Sequence, residues 1–314
     1  MTFDLRLIVI ALASFTVASL AASAALLVLG RRLPATAAER ASALLRLRLW
    51  PATLAAAALV LAVASFIEFE PRQPEAAGMT LRLLAIAALL PLSAAAWRLA
   101  RLGLDTRRAR RAWLASAERV ELPGVDIPAY TVASSFPIVA VVGVIKPVLV
   151  VARSVIANCT PDEMRAILAH ERGHMVRRDN LRRAALQAAP DFLARTAVAR
   201  RIAAAWADAT EEAADDVAGR LGSDGRLRLA EALIHVARLV PAGARPVDVP
   251  ASALFRGESL ELRVRRLLAP EPVIEAPRAA AWRRIATRVV LLAASVLALQ
   301  AIHDAVELAV TFLP

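Results

Sequence analysis

Residues 169–183 read AHERGHMVRRDNLRR and hold two of the four histidines in the chain. His170 and His174 stand four apart, with Glu171 beside the first, in the spacing H-E-x-x-H. Four residues advance a helix by about 400°, so the two imidazoles lie roughly 40° apart and one turn along. That spacing lets both grip one zinc ion while Glu171 reaches a water at the open position of the metal. Such a centre needs a third protein ligand. Downstream, residues 209–217 read ATEEAADDV, in which Glu211 and Asp215 are again four apart. Glu211 can supply a carboxylate to zinc, and Asp215 can hold a ligand histidine through its other ring nitrogen. Glu212 with Asp216 repeats the spacing one residue on, so Glu212 is an alternative ligand and the spacing leaves the register open. The chemistry these residues suit is metal-assisted hydrolysis.

The elements that must position them are also legible. Thr160-Pro161-Asp162-Glu163 is a helix start: threonine caps, proline fits the first turn, and Glu163 completes a T-x-x-E capping box. The predicted helix carries Ile167 and Leu168 and then the two histidines. Before it, 120–151 is rich in β-branched residues and broken by Pro123-Gly124, Pro128, Pro137, Gly143 and Pro147, which predicts three or four short strands. Strands followed by helices imply an α+β domain. Cys159 is the only cysteine, which excludes an internal disulfide and a cysteine-rich zinc site. It reads as a small buried hydrophobe. His235, in AEALIHVARL, sits on an apolar helix and reads as a core or interface residue rather than a transition-state group. Tyr130, the only tyrosine, lies in the strand region, and a role as oxyanion donor is the weaker reading of it.

The remainder of the chain is too apolar for an ordinary soluble protein. Of 314 residues 58% are hydrophobic, with mean hydropathy +0.54, against about half in soluble domains. Apolar runs cover about 7–30, 49–67 and 81–97, the third centred on Leu83 to Trp97 with Pro91 inside it, and a fourth begins near Ile285, cleanest from Val289 to Ile302 and interrupted by His303, Asp304 and Glu307. Each suits a helix crossing a bilayer. A cleaved signal peptide is disfavoured for the first run, because Asp4 interrupts its basic start and further spans follow. The net charge of +11 is carried almost wholly by arginine, and its placement follows the spans. Arg31, Arg32, Arg40, Arg46 and Arg48 lie between the first two; Glu68, Glu70 and Glu75 lie between the second and third. Six arginines from Arg98 to Arg111 follow the third, and Arg278, Arg283, Arg284 and Arg288 precede the fourth. The positive-inside rule then puts the N-terminus outside, residues 98–284 in the cytoplasm, and 285–314 as a fourth span with a short outer tail. The basic run Arg107 to Arg111 reads as juxtamembrane, facing membrane lipid, and no direct nucleic-acid binding is expected.

HERGHMVRRD followed by E-x-A-x-D at Glu211, Ala213 and Asp215 resembles the integral-membrane zinc metallopeptidases of the BlaR/MecR type, antirepressor proteases of the gluzincin group. Gly143-Val144-Ile145-Lys146-Pro147, like the G-x-x-K-P before that family's zinc helix, extends the resemblance, as does the three-plus-one arrangement of spans. The resemblance implies His170, His174 and Glu211 as zinc ligands and Glu171 as general base. It also implies Asp215 as a supporting aspartate, whose usual spacing favours Glu211 over Glu212, and Asp179 as a structural residue near the site. The family's β-lactam sensors carry a penicillin-binding domain after the last span, whereas this sequence stops at Pro314, so the expectation is proteolysis without that mode of sensing. The function implied is a zinc endopeptidase of the bacterial inner membrane cutting a cytoplasmic or juxtamembrane protein, with a winged-helix repressor as the family's kind of substrate. The alternatives are a housekeeping quality-control protease of the HtpX/CAAX-protease type and a signalling scaffold that does not cut. The scaffold would not need Glu171.

Overall fold

Long runs of leucine and alanine give the N-terminal third its long helices. The computed structural model describes residues 2–28, 33–69, 78–241 and 257–269; the expected fourth span and tail lie outside them. Helices α1 (Phe3–Val28), α2 (Ala37–Phe69) and α3 (Met79–Leu114) are each long and apolar enough to cross a membrane. Small residues let them approach closely: Phe15 of α1 packs on Ala55 of α2 and Ala88 of α3, both fully buried. Thr16 Oγ1 donates to Leu84 O at 2.8 Å, which satisfies that buried hydroxyl. Val60, Ile86, Leu89 and Leu90 remain exposed, as lipid-facing side chains would be.

Two of these helices are longer than the apolar runs within them, so part of the basic stretch placed between the first two spans is helical. Residues from Ala37 to Arg48 are helical, and α3 continues seventeen residues past Trp97 to Leu114. Arginine, leucine and alanine are strong helix formers, so the change from apolar to basic sequence does not end either helix. These extensions join the spans to the rest of the chain. Ala41 and Leu44 of α2 pack with Trp206 and Ala209, and Arg48 forms a buried ion pair with Asp191 at 2.7 Å.

The strand region forms four strands: β1 (Glu118–Val120), β2 (Ala129–Val132), β3 (Val139–Val142) and β4 (Val148–Ala152), in the order β1-β2-β4-β3. β2 and β4 are parallel; the other neighbours are antiparallel, with Val141 opposite Leu149 in the β3–β4 hairpin. Gly143 turns that hairpin at φ 108°, where an added Cβ would meet Lys146 O at 3.0 Å, so only glycine fits. Every residue of β3 and β4 is buried, which explains their unbroken valine-rich sequence. The helices that follow are α4 (Arg153–Asn158), α5 (Pro161–Arg177), α6 (Asp179–Ala188), α7 (Ala197–Ala218), α8 (Gly225–Arg238) and α9 (Gly257–Leu268), with a 3-10 turn at Phe192–Arg195. The capping box at the start of α5 is formed. Thr160 Oγ1 accepts from Glu163 N at 3.3 Å, and Glu163 Oε2 accepts from Thr160 N at 2.7 Å. Ile167 and Leu168 of α5 share one buried cluster with the strand residues and Val236 of α8, which seats the helix on the sheet.

Candidate metal centre

Helix α5 presents His170 and His174 one turn apart, and α7 lies close enough to bring a carboxylate to both. The close approach is made at Gly173, where a Cβ would stand 3.0 Å from Ala214 Cα and 3.3 Å from Ala214 Cβ. Glu211, one turn before Ala214, then reaches the histidines: Oε2 is 3.5 Å from His170 Nε2, and Oε1 is 3.5 Å from His174 Nε2. The two Nε2 atoms are 3.2 Å apart. Zinc bonds of about 2.0–2.1 Å place ligand atoms about 3.3 Å apart around a tetrahedron, so the three atoms stand close to the separations such an ion sets.

The outer ring nitrogens each face an aspartate. His170 Nδ1 lies 2.9 Å from Asp215 Oδ1, and His174 Nδ1 lies 2.8 Å from Asp179 Oδ2. A neutral imidazole that donates from Nδ1 has a lone pair at Nε2. Once both rings are neutral, two lone pairs face one another at 3.2 Å beside a carboxylate, an arrangement that a cation between them satisfies. The buried Glu211 Oε2 also has no hydrogen-bond partner among the described residues. The donor set of two imidazoles and one carboxylate fits a catalytic zinc with an open position.

Asp179 reaches His174 because the chain turns sharply after α5. Arg178 adopts the left-handed conformation at φ 52°, the one non-glycine residue to do so among those described, and ends α5 while starting α6. Such a conformation costs roughly 1–3 kcal/mol and is concentrated at functional sites. Arg177 secures the turn: its Nη2 donates to Asp179 Oδ2 and to Thr210 O, each at 2.7 Å, tying the end of α5 to the residue before Glu211.

Two further arginines were not singled out in the sequence. Arg263 of α9 donates from Nη2 to Asp215 Oδ1 at 2.7 Å and from Nε to Asp215 Oδ2 at 3.0 Å, and its Nη1 is 3.3 Å from Glu211 Oε2. It is almost fully buried. Its signal was present: Leu260, Val264 and Leu267 share one helical face with it, and an arginine on an apolar face implies a buried partner. Arg266 bonds Glu212 O at 2.9 Å and approaches Asp216, so Glu212 and Asp216 turn away from the histidines. Glu212 also pairs with Arg40 of α2. Glu211 rather than Glu212 therefore faces the histidines.

The electrostatics follow from burial and these pairs. Burial opposes ionisation of Glu211, but His174, His170 and Arg263 outweigh it and hold the carboxyl well below its usual range. Burial likewise opposes a charge on Asp215, and Arg263 with His170 overcomes it. For His170 burial favours the neutral ring, yet the neighbouring Asp215 and Glu211 carboxylates raise it to about 9. Glu171 is buried, and burial pushes its carboxyl up despite the two histidines.

The remaining candidates lie apart from this cluster. His235 Nδ1 is 3.1 Å from Glu163 Oε1, a satisfied interface residue between α8 and the start of α5. Cys159 is half-buried, and burial followed by the Glu163 charge pushes its thiol up to about 11, so it stays protonated at neutral pH. Tyr130 pairs within the sheet between β1 and β4. Asn180, just after Asp179, donates from Nδ2 to Val141 O at 2.9 Å and Gly143 O at 3.0 Å, capping one end of the edge strand β3.

The family model for Peptidase family M48 matches residues 104–248, the stretch that contains the sheet, the H-E-x-x-H helix and Glu211. No curated protein and no solved structure matches the chain. The match supports a metallopeptidase, and the three apolar helices support its association with a membrane.

Proposed function

We propose that the chain is a membrane-embedded zinc endopeptidase whose ion is held by His170, His174 and Glu211. The observation that carries this reading is the pair of Nε2 atoms 3.2 Å apart with one Glu211 oxygen 3.5 Å from each. Zinc bound there would polarise the scissile carbonyl and bring a water's pKa near 7. Asp215 and Asp179 fix the rings with Nε2 inward, and Arg263 keeps Asp215 and Glu211 ionised. Glu171, one residue along from His170, takes the water's proton and delivers it to the leaving amine. Burial pushes its carboxyl up, the direction that suits a group that must hold the proton it accepts.

The substrate is a protein segment in the cytoplasm or at the membrane surface, a reading supported by arginines at the ends of α2 and α3 that adjoin the peptidase region. It binds extended against β3, the edge strand of the sheet, and must displace the groups that bury that strand. Asn180 occupies the carbonyls of Val141 and Gly143, so the segment pairs with the part of the strand before them. A transcriptional repressor is the substrate class suggested by the BlaR/MecR resemblance. The test is Glu171→Gln in the purified full-length chain with zinc content measured in parallel. Zinc retained and proteolysis lost is the expected result; wild-type cleavage by the variant, or a wild-type chain without zinc, refutes the proposal.

A further inference from the structure

Where the membrane helices meet the peptidase region there is a cavity of about 440 Å³ that the catalytic chemistry does not use. Arg48, Arg98, Arg101 and Arg200 line it with a single acid, Asp105, and its walls are completed by Trp97, Leu102, Leu186 and alanines of the 3-10 turn and α7. Its depth relative to a bilayer follows from the sequence. The uncharged run of α2 begins immediately after Arg48, and that of α3 ends immediately before Arg98, so both apolar–basic boundaries fall on one cavity. Trp97 beside them is 61% exposed, as tryptophans at headgroup level are.

The positive charges are unevenly compensated. Arg48 is neutralised by Asp191 at 2.7 Å, and Arg101 lies 3.7 Å from Asp105. Arg98 donates only to backbone carbonyls, Gln187 O at 2.6 Å and Ala189 O at 3.0 Å; Arg200 donates to Arg195 O at 3.2 Å. Neither guanidinium meets a carboxylate at ion-pair distance among the described residues. The first turn of α7, which supplies Ala199 and Arg200, adds the positive end of a 22-residue helix. A pocket with an arginine-lined floor, an apolar wall and a position at the interface matches an anionic phosphate ester attached to acyl chains.

We propose that this cavity binds one anionic phospholipid, its phosphodiester between Arg98, Arg101 and Arg200 and its chains along α3. The inference rests on α2 and α3 spanning the membrane and is independent of the zinc chemistry. The experiment uses the full-length chain, delipidated in detergent and titrated with phosphatidylglycerol, phosphatidylcholine or inorganic phosphate, with bound mass read by native mass spectrometry. One phosphatidylglycerol per chain is expected, with phosphatidylcholine at least ~10-fold weaker and millimolar phosphate unable to displace the lipid. Each arginine near a headgroup contributes about fivefold. Arg101→Gln with Arg200→Gln, both exposed, should therefore weaken binding by about 25-fold, and lysine at both positions should restore most of it. Arg107→Gln with Arg108→Gln, farther along α3 and outside the cavity, should change it less than ~2-fold. Equal binding of the two lipids, displacement by free phosphate, equal loss in the Arg107/Arg108 control, or no retained lipid overturns the proposal.

Discussion

Arg263→Met removes the one arginine that, among the described residues, pairs with both buried acids behind the metal centre. In the folded chain Arg263 makes two bonds to Asp215, at 2.7 and 3.0 Å, and stands 3.3 Å from Glu211. Methionine fills a similar volume, so packing of α9 on Leu229 and Leu233 is conserved while the charge is lost. Removing one partner of a buried pair costs about 3–5 kcal/mol; Arg266 Nη2 still stands 3.2 Å from Asp215 Oδ2, but the buried Glu211 keeps no arginine at ion-pair distance among the described residues. For a domain of this size that is a fall in melting temperature of about 6–20 °C. The metal affinity should fall as well, by about 10–100-fold, since Asp215 then no longer holds the His170 ring firmly. Arg265→Met, on the same helix but 75% exposed, is the control and should change neither quantity. Arg263→Lys keeps the charge but loses the fork, and should recover less than half of the stability. Thermal melts and zinc titrations of the detergent-purified full-length chain read all three. A melting temperature for Arg263→Met within ~2 °C of wild type, with unchanged zinc affinity, would refute the assigned role of α9.

Gly173→Ala puts a Cβ 3.0 Å from Ala214 Cα, so α7 must retreat by several tenths of an ångström and carry Glu211 with it. Metal–ligand distances tolerate only about 0.2 Å; zinc affinity should drop by ~10-fold or more while the melting temperature of the metal-free chain changes little, because alanine's helix propensity offsets part of the overpacking. Competition with a zinc chelator measures it. His170 is raised to about 9 in the metal-free chain, so it is protonated at neutral pH and must lose that proton on metal uptake. Calorimetry in buffers of different ionisation enthalpy should record about one proton released per zinc at pH 7.5; no release would contradict the assignment. The same raised value contributes stability that is fully present below pH ~6.5 and is lost as pH climbs through about 9. The metal-free chain should therefore melt progressively lower across that interval, and the zinc-loaded chain should lack this decline.

What could be read along the chain was local. The capping box at Thr160, the helix through His170 and His174, and the three apolar helices follow from spacing and composition within one element, and the structure contains each. The register of the acidic pair was not local. Glu211 and Glu212 are neighbours on one helix, and what separates them is that Arg40 and Arg266, from distant elements, take Glu212. Arg263 lies 48 residues after its partner Asp215, so only its place on an apolar helical face hinted at it. The strand order was equally hidden: β2 pairs in parallel with β4 across the intervening β3, a non-local choice that alternation patterns do not encode. Residues 37–48 continue the helix despite their charge, and Arg40 and Arg48 bond there to Glu212 and Asp191 of distant elements, partners that the sequence does not show.

The central claim is that two imidazoles and one carboxylate hold a zinc ion, and X-ray absorption at the zinc edge of the purified full-length chain tests it most directly. The expected spectrum shows a four-coordinate ion with nitrogen and oxygen neighbours at about 2.0–2.1 Å, the outer-ring scattering of two imidazoles and no sulfur. Glu211→Gln should lower the zinc content of the same preparation. A sulfur neighbour at about 2.3 Å, a single imidazole, or a chain that retains no zinc would contradict the account.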